Sequence, residues 1–271
     1  MPLPSVPPSI PTAAANRIWE LDALRGLCVL LMFIDHTLYD LGFIFGDIWR
    51  QAGISGTLID LCLFARDAFW PSLFRKIIRV GVLASFIGLC GLSCSFSRSN
   101  LWRGLKLLVI ALLLSLVTWI MDRCLGQRDV FTIRCGVLHM LAISILLYNL
   151  VQPFSRNIVL VMGLLLAALG LYFHGNPLPA SGLVAGVLGI SSTGFYSADY
   201  FPLLPWSGYF LVGAACGVSL YHTRVSYFPR HGQNKAWRPL LFLGRNALLF
   251  YLLHQPIVYG TLWLFTKIIL H

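Results

Sequence analysis

An all-α bundle of membrane-crossing helices is the fold class this sequence predicts, and three observations predict it. Apolar runs recur along the chain at lengths that reach or approach the ~20 residues needed to cross a hydrocarbon core. Of its 271 residues 58% are hydrophobic and 11% charged, against about 25% charged in water-soluble domains. The period-two alternation of a membrane β-barrel is missing. The pattern gives about seven spanning helices, with short interfacial or re-entrant pieces between them.

The elements follow in order. Residues 1–16 are proline-rich and lack a basic start followed by an apolar core, so they read as a disordered tail rather than a cleavable signal. Residues 17–271 read as a single transmembrane domain. Helix one runs from Ile18 to Phe45. Gly46–Lys76 mixes aromatics with charges, and its apolar run GTLIDLCLFA is short, so it reads as interfacial or re-entrant. Pro71 breaks it before helix two, about Ile77–Phe96. Helix three is about Leu101–Met121, helix four Cys135–Val151, helix five Asn157–Phe173. A stretch rich in Gly, Pro and Ser, with the short piece GLVAGVLGI, leads to helix six at about Leu203–Tyr221. Helix seven is about Leu241–Phe265. Gly182/Gly186 and Gly213/Gly217 are small-xxx-small pairs that let helices approach closely.

Charge sets the expected orientation. The loop before helix seven holds Arg224, Arg230, Lys235 and Arg238, whereas the stretch before helix six has no Lys or Arg. The positive-inside rule puts the former in the cytoplasm and with it the N-terminus. Arg50, Arg66, Arg75 and Lys76 then fall outside, against the rule. A further crossing by GLVAGVLGI would reverse the basic loop. The net charge of +10 is scattered over short loops, which suits anionic lipid and not nucleic acid. The seven cysteines are odd in number and form no CxxC, which argues against a disulfide framework or a zinc site.

Helix one carries Asp22, Arg25, Asp35, His36 and Asp40. A helix turns ~100° and rises ~1.5 Å per residue, so Arg25 and His36 lie within ~20° of one line and ~16 Å apart along it. Asp22 and Asp40 fall near the same line, with Val29 and Met32 between. Each charge at mid-bilayer costs roughly 2.5–3.5 kcal/mol, so such a stripe faces a water-filled or protein-lined interior. Arg25, fixed in charge, suits a phosphate-bearing ligand, and His36 suits a general base or nucleophile. Asp40, on the matching face, or Asp35 could hold the imidazole in one tautomer. Asp22 and Arg25 could equally be an ion pair at the helix start, and Asp35 a partner to another helix. Arg98, Asn100 and Arg103 gather at the turn after helix two, where a nucleotide phosphate or a lipid headgroup would fit. Arg245 heads helix seven as cap, headgroup contact or ligand group. His139 and His254 are intramembrane histidines. Asp199, Tyr200 and Trp206 could form a sugar platform, or an aromatic belt.

The spacing of Arg25 and His36 is similar to the first-helix signature of the membrane acyltransferase-3 group. The ordered set ELDALRG, DH, GLSCSFSRSNLWRGLKLL, GVLHMLAIS, ADYFPLLPW and LGRNALLFYLLHQP resembles the bacterial relatives of heparan-alpha-glucosaminide N-acetyltransferase over about Arg17 to Leu264. The resemblance implies a bacterial inner-membrane acetyltransferase that uses acetyl-CoA as donor and no metal. The acceptor it implies is a sugar or glycan. In the lysosomal members the catalytic histidine falls further on, near Asp47 here, where this chain has none; the catalytic role therefore goes to His36, with Asp40 and Asp35 beside it. Arg25, Arg98, Asn100, Arg103 and Arg245 are then candidates for the coenzyme. Asp22, His139, Asp199, Tyr200, Trp206 and His254 are candidates for the acceptor. A homo-oligomer fits such a bundle. The rival class is a proton-coupled transporter of a small solute, because buried Asp, His and Arg on one helix also suit a proton relay.

Overall fold

The structure, a computed structural model, describes residues 18–126, 129–191, 194–221 and 223–270. The expected tail lies outside them. The chain is all-α, with no strand among the described residues. It divides into two compact units: residues 1–82 with 223–271, and residues 83–222.

The first unit opens with α1, Trp19–Asp40, which runs through a π-helical turn, Leu41–Phe45, into α2, Gly46–Gln51. Gly53, at φ +81°, reverses the chain, since a left-handed φ carries no steric penalty for glycine. Helix α3, Thr57–Leu63, and a second π turn, Phe64–Phe69, come back along it. The close approach needs small residues. A side chain on Gly42 would press on the Arg66 backbone, and one on Gly46 would meet Cys62. Phe45, Trp49, Ile59 and Cys62 form the core of this hairpin, joined by Leu262. Helix α4, Leu73–Ser95, starts after Pro71, with the Ser72 hydroxyl accepting from the Arg75 backbone N–H at 3.2 Å.

The unit closes with α10, Arg238–Arg245, and α11, Ala247–Leu270. Helix seven of the sequence reading is therefore two helices. The break is at Asn246, whose side-chain amide donates back to Phe242 O at 2.9 Å. Helix α1 packs on both. Against α10 the backbones nearly touch, because Gly26 faces the Leu240 carbonyl and Gly244 faces Asp22 O.

The second unit holds α5, Asn100–Cys124; α6, Val137–Val151; α7, Arg156–Gly175; the short α8, Leu183–Leu188; and α9, Leu203–Leu220. Helix α9 packs on α6 and α7, and α5 on α6. Glycines bring α9 close to the later part of α4: Gly213 lies on Gly88, and Gly217 on Leu92 and Ser95. Gly186 packs on Phe195, but a side chain on Gly182 would meet open space, and this residue instead turns the chain at φ +104°. The Asp122 carboxylate closes the loop after α5 by accepting from the Phe131 and Thr132 backbone N–H groups at 3.0 and 2.8 Å.

Among the described residues six helices are long and apolar enough to cross a membrane, and Val137–Val151 is a shorter apolar helix. At ~1.5 Å per residue the latter falls short of a ~30 Å core. Val109, Leu112, Leu113, Leu116 and Val117 of α5 are all exposed. An apolar face of that extent suits lipid and not water. The chain is an integral membrane protein by this composition.

Candidate active site on the first and last helices

The polar stripe of α1 is lined by protein, and α10 and α11 supply the lining. At its first turn Asp22 Oδ1 pairs with Arg25 Nη1 at 2.9 Å, while Asp22 Oδ2 lies 3.5 Å from Arg245 Nε. Two guanidinium groups thus share one carboxylate. The cluster keeps a surplus positive charge, with Arg245 half-exposed and Arg25 largely buried. Arg25 is both the expected ion pair of a helix start and one part of a cationic site.

Three turns along, His36 is half-buried. Its Nδ1 lies 2.9 Å from Met32 O. A carbonyl only accepts, so Nδ1 carries the hydrogen and the neutral ring keeps its lone pair on Nε2. The expected carboxylate contact on this ring is replaced by a backbone one, the i−4 carbonyl that helix geometry places there. Asp35 points to another helix. Its two oxygens take Nε and Nη2 of Arg75 at 2.7 and 2.8 Å, and the guanidinium sits 3.3 Å above the Trp70 ring centre. Asp40 is fully buried. It accepts from Gln255 Nε2 at 3.0 Å through both oxygens.

His254 is brought to His36. It is buried, and its ring meets the His36 ring edge to face, with centroids 4.6 Å apart. Its Nδ1 donates to Tyr251 O at 2.6 Å. Phe33 flanks it at 5.8 Å. The sequence reading placed His36, Asp40 and His254 among the candidates but missed Gln255 and Arg75. Gln255 follows His254 in HQP and could have been found there; Arg75, forty residues from Asp35, leaves no signal in one sequence.

The second unit places the other candidates. Helix α6 starts on Gly136, which has no side chain to cap it, and the caps come from elsewhere. Asp199 Oδ2 accepts from Val137 N–H at 3.0 Å, a carboxylate at the positive end of a helix. The Gly136 N–H donates to His139 Nδ1 at 3.3 Å. The neutral His139 ring therefore carries its hydrogen on Nε2 and donates to Ser115 Oγ at 3.1 Å, while Ser115 donates to Ile133 O at 2.5 Å. This Ser–His–Asp set is not a nucleophile with its base, because the ring has no lone pair facing the serine. Both nitrogens of His139 are taken, Nδ1 by the start of α6 and Nε2 by Ser115 of α5. Tyr200 donates to Gly186 O at 2.7 Å, and Trp206 packs between Phe201 and Tyr209. Before α6, burial and the Asp199 carboxylate push the Cys135 thiol up to about 11. All seven cysteines are free thiols.

At the turn into α5, Asn100 is buried and donates to Cys94 O at 3.0 Å. Its own carbonyl oxygen is buried without a hydrogen-bond partner. Arg98 and Arg103 are exposed beside it, and Arg103 Nη1 reaches Ser93 O at 3.4 Å. Among the described residues no group of His, Cys, Asp and Glu could hold a metal ion.

No curated protein and no solved structure is similar enough to this chain to match. The model of the family described as heparan-alpha-glucosaminide N-acetyltransferase, catalytic, matches residues 17–256. With a polar first helix answered by a broken last one, and with that match over most of its length, the chain belongs to the heparan-alpha-glucosaminide N-acetyltransferase catalytic family.

Proposed function

We propose that this protein moves an acetyl group from acetyl-CoA, bound from the cytoplasmic side, to a hydroxyl or amine of a sugar or glycan. The family suggests acetyl transfer in a membrane. The observation that carries the residue-level reading is the tautomer of His36: Met32 O holds Nδ1–H, which leaves Nε2 as the nitrogen able to take a proton. General base catalysis asks for that. As the acceptor oxygen or nitrogen bonds the acetyl carbon, its proton passes to Nε2 and the carbon–sulfur bond breaks.

Arg25 and Arg245 bind coenzyme phosphate in this reading. Their shared carboxylate, Asp22, supports it by holding two cations side by side, as anion sites require. Arg98, Asn100 and Arg103 are a further phosphate-binding candidate, supported by the two exposed guanidinium groups at the start of α5. Asp40 and Gln255 hold α11 on α1. Asp35 supports the fold through Arg75 and takes no part in the chemistry. Asp199, Tyr200 and Trp206 remain our candidates for the acceptor, supported by the exposed Tyr200 ring, with His139 as their support. The N-terminus is cytoplasmic and the membrane a bacterial inner membrane.

The test is free CoA released from labelled acetyl-CoA by membranes holding the protein, with the acetyl group followed into the glycan fraction. His36→Ala should reduce transfer by about 100-fold or more. Unchanged transfer removes His36 from the mechanism, and a wild-type protein that neither binds nor consumes acetyl-CoA returns the transporter reading.

A further inference from the structure

His254 repeats the arrangement of His36. Each ring gives Nδ1–H to a carbonyl of its own helix, Met32 O at 2.9 Å and Tyr251 O at 2.6 Å. Both neutral rings therefore keep the lone pair on Nε2. The two rings come from opposite ends of the chain and touch, centroids 4.6 Å apart with planes at 83°. Packing alone needs no fixed tautomer. The next residue, Gln255, locks the two helices together through Asp40, donating to both carboxylate oxygens at 3.0 Å. The Gln255 carbonyl oxygen is buried with no hydrogen-bond partner. An orphaned acceptor one residue from a base suits an O–H or N–H that arrives with a ligand.

Acetyl transfer from a thioester needs a proton in two places. The acceptor atom loses one as it bonds the acetyl carbon. The sulfur gains one as the carbon–sulfur bond breaks. One imidazole must reach both atoms, whereas two imidazoles in contact divide the task. We propose that His254 is a second catalytic base and acid that relays the proton taken up by His36 to the departing coenzyme sulfur. The proton goes from the acceptor to His36 Nε2, then to His254 Nε2, then to sulfur. Free thiol leaves and both rings end neutral. The Gln255 carbonyl oxygen receives the hydrogen that the acceptor keeps, or that of a bridging water.

This relay rests on the acetyl-transfer reading, and one set of variants separates the two. His254→Asn keeps an N–H for Tyr251 O but has no basic nitrogen; His254→Ala removes both. Purified protein is assayed for CoA release, for KM of acetyl-CoA and acceptor, and for rate against the deuterium fraction of the solvent. Both variants should lower kcat about 100-fold with KM little changed, because the lost interaction exists only during transfer. The curved solvent-isotope plot of the wild type, two protons in flight, should become linear in His254→Asn. Wild-type kcat in His254→Asn, a loss confined to KM, or a lower kcat with the isotope plot unchanged each overturns the relay. If the wild type is active and His36→Ala inactive at that point, the acetyl-transfer reading stands without it. If the folded wild type releases no CoA, both fall together.

Discussion

Removing one half of the Asp35–Arg75 pair should cost far more stability than removing both. The pair is a two-bond fork, 2.7 and 2.8 Å, with side-chain exposures of 9% for Arg75 and 22% for Asp35. Breaking such a buried pair costs about 3–5 kcal/mol, because the survivor is left charged and unpaired. Arg75→Met also forfeits the Trp70 ring, 3.3 Å from the guanidinium, a contact that contributes up to about 2 kcal/mol when desolvated. It therefore belongs at the upper end of the range. Asp35→Leu leaves the guanidinium on the ring and belongs at the lower end. The double variant Asp35→Leu/Arg75→Met replaces two charges by apolar groups of similar length, which is close to neutral in buried sites. It should recover most of the loss and give a coupling energy of at least about 2 kcal/mol in a double-mutant cycle. The measurement is reversible unfolding in mixed micelles, with acetyl transfer recorded per folded molecule. The rate per folded molecule of the double variant should stay near wild type, since Asp35 bonds Arg75 and not His36. Additivity within about 0.5 kcal/mol would refute the structural role. A slow double variant of full stability would return Asp35 to the chemistry.

Three further outcomes follow from the same geometry. Gly26→Ala places a methyl against the Leu240 carbonyl and should cost about 1–3 kcal/mol by forcing α1 off α10; unfolding at wild-type denaturant would contradict that contact. Arg25→Gln should raise KM for acetyl-CoA by about tenfold or more with kcat little changed, the loss of one charge-assisted phosphate contact; an unchanged KM removes Arg25 from the coenzyme. The Cys135 thiol rises from 9.0 to about 11 in the fold, so the unfolded thiol ionises first as pH climbs. The protein should lose about 2 kcal/mol of stability between pH 9 and 11 on this account, while remaining unaffected below pH 9. The loss should vanish in Cys135→Ala, and an identical pH slope in that variant would refute it.

The long helices were legible because lipid imposes apolar runs of a fixed length, and the α1 stripe because charges in such a run stand out. The misreadings have local causes. Helix α4 starts at Leu73 rather than Ile77 because Ser72 caps it, a signal hidden among charged and aromatic neighbours. The break at Asn246 was readable from Gly244–Arg245–Asn246 but was masked by the apolar residues on either side. The π turns at Leu41–Phe45 and Phe64–Phe69 depend on Gly42 meeting Arg66 and Gly46 meeting Cys62, pairings that no single-chain periodicity encodes. At the site, the partners of His36 and His254 are backbone carbonyls, and these leave no trace in residue identity. His139 stood out as a histidine inside an apolar helix, and Asp199 as a carboxylate among aromatics. The glycine at the start of α6 gives both a structural task as well, since a helix without its own cap must borrow one.

The break between α10 and α11 gives α1 two neighbours of different chemistry. Before the break, Arg245 joins Arg25 around Asp22. After it, His254 joins His36. A continuous last helix would present one unbroken face to the stripe. The interruption lets a cationic end and a neutral, proton-carrying end coexist ~16 Å apart on one helix. In the proposed reaction that separation matters, because acetyl-CoA carries its phosphates and its thioester at opposite ends of an extended arm. Separation lets the two rings meet the thioester while the guanidinium groups hold the phosphates.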